Sequence, residues 1–191
     1  MRLLVGGFAL AFLSAVGAAQ APPKPVTAAR GSAAANPARK PAGTLAQIMR
    51  GIYFPNSNLI FDVQQNDPAA PKKKSESGSS TDTYASAYTG WEIVENAAVA
   101  LSDGVDLILQ PGRTCQNGKP VPINQPDFQK FARAMRDAGR VALEAARTRN
   151  QEKVSDATNN IADACSSCHE VYRDKGPADS PARCTPPPAK R

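Results

Sequence analysis

Histidine is nearly missing from this chain: of its 191 residues only one, at position 169, is His. There is no second imidazole for acid–base work, and no paired-carboxylate motif stands out from solvated helix faces, so nothing indicates a substrate-converting enzyme. Strand signals are absent too. No βαβ pattern exists to frame a thioredoxin-like redox pair, and no internal repeat is present. Beyond an apolar run from Leu3 to about Val16 there is no long hydrophobic stretch, so the mature chain is not expected to span a membrane. Cysteine is sparse at four residues, and no second C-x-x-C accompanies the one that ends at Cys168. A zinc site, which usually draws on two separated pairs, has only Cys115 and Cys184 to complete it.

What is present begins with an export pattern. Met1-Arg2, the apolar run and Gly17-Ala18-Ala19-Gln20-Ala21 have the layout of a secretory signal over residues 1–19, cut after Ala19. Residues 20–43, rich in Ala and Pro, read as a flexible linker that cannot bury enough apolar surface to order itself. The formal charge of +6 belongs to the tails. Seven of the 23 basic residues lie outside 41–189, which leaves 16 against 17 acidic ones, about −1 for the domain. A near-neutral domain carries no nucleic-acid footprint.

From residue 44 the periodicity is helical. Thr44 is placed to cap a helix running to Phe54, with Leu45, Ile48, Met49, Ile52 and Tyr53 on one face. Pro55 is expected to interrupt it, a short helical piece to follow to Gln65, and residues 66–83 to form a loop. A second helix is expected over Thr83–Leu109, with an apolar stripe through Trp91, Val94, Ala98, Leu101, Val105 and Ile108, stopped by Pro111-Gly112. A third, over Asp127–Arg149, turns Phe128, Phe131, Met135, Ala138 and Ala142 inward as core and Lys130, Arg133, Arg136, Arg140 and Arg147 to water. A fourth spans Gln151–Arg173, and residues 177–191 read as an irregular tail. The expectation is an all-α fold, an antiparallel four-helix bundle over residues 44–176.

The fourth helix carries Cys165-Ser166-Ser167-Cys168-His169. C-x-x-C-H in an exported protein is the attachment pattern of a c-type haem: two thiols form thioethers to the porphyrin vinyl groups, and the next residue supplies the proximal imidazole. Positions i, i+3 and i+4 share one helical face, so both anchors and the ligand point at one macrocycle. A disulfide between Cys165 and Cys168 competes as a reading but leaves His169 without a role. Export and the motif support each other, because disulfides and haem attachment both belong to an oxidising compartment, here the periplasm.

With these residues on one helix, the chain resembles the class II c-type cytochromes, the cytochrome c prime family and its low-spin relatives. The segment Cys165-Ser-Ser-Cys168-His169-Glu170-Val171-Tyr172-Arg173 is similar to that family's closing motif. The resemblance implies one covalent haem near the C-terminus of the last helix, Cys165 and Cys168 as attachments, His169 as proximal iron ligand and Arg173 as a basic neighbour of the haem edge. In low-spin members a methionine on the first helix supplies the sixth ligand, which makes Met49 the candidate. Met135 is a rival, and a site blocked by apolar residues such as Leu45 and Ile48 is the other outcome. His169 being the single histidine, bis-His ligation within one chain is excluded. In such a bundle the loop after the second helix and the tail after the fourth lie at one end, so Cys115 and Cys184 can meet in a disulfide, or else stay free or pair between chains. The resulting expectation is an exported monohaem electron carrier with a redox partner protein. The alternatives are a five-coordinate protein that binds small gases and a non-haem module held by disulfides. Members of the family often pair through their helices, so a homodimer fits as well.

Overall fold

The computed structural model describes residues 40–70 and 88–188. The expected signal segment, most of the expected linker, and positions 71–87 of the first loop and the second helix's expected start lie outside them. Within the described residues every regular element is helical, and one isolated bridge, Thr114 to Pro120, takes the place of any strand.

Helix α1 covers Leu45–Ile48 and opens on a capping box. Gln47 N–H donates to Thr44 Oγ1 (3.3 Å) and Thr44 N–H to Gln47 Oε1 (2.8 Å), so two backbone donors that a helix start leaves orphaned are satisfied. The chain then widens into a π-helical turn, Met49–Tyr53, before α2, Phe54–Phe61, and a 3₁₀ turn, Asp62–Gln64. Here the reading of Pro55 as a break is corrected: the helical rod runs straight past it. Phe54 N–H reaches back five residues to the Met49 carbonyl, and Pro55 falls in the first turn of α2, where a missing N–H costs little. The Asn56 side chain donates to the Ile52 carbonyl at 2.7 Å, replacing backbone pairing that the irregular turn disturbs.

The second segment starts later than its apolar stripe suggests. Gly90, at φ 64°, precedes α3, Trp91–Asp103, and only glycine adopts that turn without strain. A single turn residue, Gly104, separates α3 from α4, Val105–Ile108. Helix α5, Pro126–Arg147, starts on a proline whose fixed φ suits a first position. Helix α6, Gln151–Tyr172, is capped by Asn150, whose side chain accepts from Lys153 N–H at 2.9 Å.

The four helical segments enclose one core. Ile60 from α2, Leu101 from α3, Phe128 from α5 and Ile161 from α6 are the largest of its fully buried side chains, each contributing on the order of 1.5–3 kcal/mol by leaving water. The lower end of the first segment is tied to α6 by polar contacts: Gln64 Nε2 donates to Thr158 Oγ1 (2.6 Å) and Gln151 Nε2 to the Val63 carbonyl (2.8 Å). Its upper end is tied to the loop after α4, where Leu45 N–H donates to the Thr114 carbonyl at 2.8 Å. One outward assignment also needs correction. Arg136 is only partly exposed; its guanidinium pairs with Asp106 of α4, and its Nε is buried.

Helices α3 and α5 approach closely because small residues face each other. A Cβ on Gly139 would stand 2.7 Å from Ser102 N and 3.1 Å from the Ala98 carbonyl, both backbone atoms that cannot swing aside. Gly139→Ala is therefore expected to lower stability by about 1–3 kcal/mol through overpacking, even though alanine is the better helix former. Urea unfolding checks it; an unchanged or raised midpoint would mean that the two helices can separate freely.

Candidate functional site

The last turns of α6 place Cys165, Cys168 and His169 on the wall of one cavity of about 430 Å³, within the range of cofactor pockets. Neither of these cysteines is bridged. The spacing i, i+3, i+4 brings all three to the same side, as the motif requires. The opposite wall is Leu45, Met49 and Tyr53, a row four residues apart on the first segment. Ile48, expected beside Leu45 on the distal wall, instead packs against the core: one residue earlier than Met49, it is rotated about 100° away around the helix.

The floor comes from α5. Phe128, Phe131 and Met135, read in the sequence as core, belong to or pack against the core and line the cavity as well. An apolar stripe at helical spacing looks the same whether it meets another helix or a cofactor, so no sequence signal separates the two. Tyr172 closes the floor, edge-on to Phe128 (ring centroids 5.2 Å apart, planes at 84°) and to Phe131 (6.3 Å, 76°). Its hydroxyl donates to Asp127 Oδ1 at 2.7 Å. Burial first, then that bond to a carboxylate, pushes the phenol well above its ordinary range. Tyr53, also raised by burial, donates to the Leu101 carbonyl at 3.3 Å.

Electrostatics keep the anchors uncharged. The Cys168 thiol is pushed up to about 11, by burial and then by the neighbouring Cys165 and Asp127. Burial raises Cys165 as well, against the pull of Arg173. His169 is shifted downward by burial and then by Arg173, which favours the neutral imidazole, the form that ligates a metal. Arg173 lines the cavity but spends its guanidinium on Asp174, Nε to Oδ1 at 2.7 Å. That bond holds the Asp174 carboxyl below its usual value.

The remaining wall lies outside the helices. Cys115 and Cys184 form a disulfide, Cα–Cα 6.6 Å, joining the loop after α4 to the tail after α6. Both sulfurs that a zinc site would have needed are thereby used, and among the described residues no cluster of three or more His, Cys, Asp or Glu is placed to hold a metal ion. Gln116 and Asn117, missed in the sequence reading, stand beside Cys115 on the same wall, as does Arg183 beside Cys184.

A helical bundle with two unbridged thiols and a neutral imidazole on one turn, facing an apolar cavity, has the donor set of a c-type haem protein. Comparison with known proteins agrees. Residues 121–173 match the Cytochrome C' family, a class II cytochrome c family, and the matched segment holds α5, α6 and the entire Cys165–His169 motif. Over that segment the chain is similar to class II c-type cytochromes, and the likeness implies a covalently bound haem c. No curated protein and no solved structure matches the chain. Among the described residues no helix is long and apolar enough to cross a membrane.

Proposed function

We propose that this is a periplasmic monohaem electron carrier, its four segments running antiparallel, with thioethers at Cys165 and Cys168 and His169 as proximal ligand. Bound at this place, haem c supplies a one-electron couple. The observation that carries the reading is the shared cavity: the C-x-x-C-H turn of α6 and Met49 from the first segment line the same space. Met49 is thus offered as the sixth ligand, and its thioether would raise the reduction potential over that of an open site. Met135 lines the cavity too, but from α5, among the aromatic rings of the floor. The chain is read as a carrier rather than a catalyst, delivering electrons to a partner protein at the cavity mouth. There Phe54 is 68% exposed, the kind of aromatic surface that partner proteins bury.

The test is an optical spectrum of protein matured in a host that attaches haem, wild type beside Met49→Ala. The expected result is a low-spin spectrum with a methionine–iron band near roughly 695 nm, lost in the variant while Met135→Ala keeps it. A high-spin spectrum indifferent to Met49, with ready carbon monoxide binding, would replace the electron carrier by a gas-binding protein.

A further inference from the structure

The cavity wall is unbalanced in charge. Its charged residues are Arg50, Arg173 and Arg183, and no carboxylate lines it, although the domain as a whole has slightly more acidic than basic residues. Arg173 is neutralised by Asp174. Arg50 and Arg183 have no ion-pair partner among the described residues; each is held instead by a neutral acceptor. Arg50 Nη2 donates to Gln116 Oε1 at 3.0 Å, while Arg183 donates Nε (3.1 Å) and Nη2 (2.8 Å) to the Gly176 carbonyl. A guanidinium fixed by a neutral group keeps its full charge and its remaining donors for a ligand.

Three consecutive loop residues set both in place. Cys115 ties the tail covalently at Cys184, next to Arg183. Gln116 holds Arg50. Asn117 Nδ2 donates to the carbonyls of Ser180 (2.8 Å) and Arg183 (3.1 Å). We infer that Cys115-Gln116-Asn117 is a positioning hub that presents Arg50 and Arg183 at the cavity rim to a dianionic ligand edge, the two propionate carboxylates of the haem. The inference rests on the haem reading above. It makes the disulfide-bound tail a working wall of the site rather than a loose end. It also gives the two arginines a role in the redox couple, since a fixed positive charge near the iron disfavours its oxidised form.

The experiment is redox titration of mature holoprotein, with mass spectrometry confirming haem attachment in each variant. Arg50→Gln and Arg183→Gln are each expected to lower the potential, shifting the reduced-to-oxidised ratio at fixed poise by about three- to tenfold. Arg50→Lys and Arg183→Lys should keep it within about twofold, because the charge survives. Cys115→Ser/Cys184→Ser combined with Asn117→Ala should reproduce the Arg183→Gln shift, and adding Arg183→Gln to that triple variant should shift it no further, the sign of one shared device. Glutamine variants within about twofold of wild type, or lysine variants shifted as far as glutamine ones, would overturn the inference while leaving the haem reading intact. A mature wild type without covalently bound haem would end both.

Discussion

Cys165→Ser combined with Cys168→Ser is expected to abolish covalent haem altogether, the largest effect available in this chain. The two side chains sit one turn apart on α6 and line one cavity, so neither has a substitute nearby. The other two cysteines are joined to each other across the loop and the tail. Denaturing electrophoresis with haem staining, followed by intact mass, reads the result directly, because only a thioether-linked group survives unfolding. His169→Ala should behave differently: the thioethers can still form, but the proximal nitrogen is gone and the low-spin spectrum with it. The apolar floor of Phe128, Phe131 and Met135 would then surround a space that water fills poorly, so the double serine variant should also melt earlier than holoprotein. Full haem incorporation in that variant would remove the basis for every site assignment made above.

How far these features can be read from sequence differs by residue. The Cys165–His169 turn is legible because its chemistry fixes both residue type and spacing, and the 3.6-residue period is strong enough in α5 and α6 to give their limits to within a residue or two. Thr44 announces the first helix as its N-cap, and Gln47 completes a capping box with it in the folded chain. Pro55 misleads, because local preference says stop while tertiary packing keeps the rod going; a π-turn just before it absorbs the mismatch. Gly104 is similar in kind: the stripe from Trp91 to Ile108 stays in phase, so periodicity does not disclose that the helix divides there. Arg113 shows the limit most sharply. It is 4% exposed, with its guanidinium donating to the backbone of Gly43 and Leu107 and to the Gln110 side chain. No pattern of neighbouring residues marks it as a strut between the start of the first helix and the loop. Such a role depends on partners some 70 residues away in the chain.

Loss of the disulfide is the second large effect. Cys115 and Cys184 are separated by 69 residues, a span that encloses the third and fourth helical segments entirely. Cross-linking a loop of that length restricts the unfolded chain by roughly 4 kcal/mol in the chain-entropy account. Cys115→Ser/Cys184→Ser is thus expected to lower the unfolding free energy by about that amount and the melting temperature by roughly 10 °C. The native contacts of the tail do not depend on the sulfurs alone. Cys184 N–H donates to the Tyr172 carbonyl at 2.9 Å, and Lys119 Nζ donates to the Pro181 carbonyl (2.6 Å) and Thr185 Oγ1 (2.9 Å). The folded state should therefore keep its helices, and the urea m-value should rise because the unfolded state expands. The tail's polar contacts give a second handle. With the disulfide intact, Asn117→Ala should change stability little, since the covalent link holds the strands of chain together anyway. In the serine pair the same change should release the tail, seen as fast amide exchange confined to residues 176–188. If the serine pair instead melted within about 1 kcal/mol of wild type, those hydrogen bonds and the burial of Tyr172 would already be sufficient to hold the tail, and the disulfide would add almost nothing to stability.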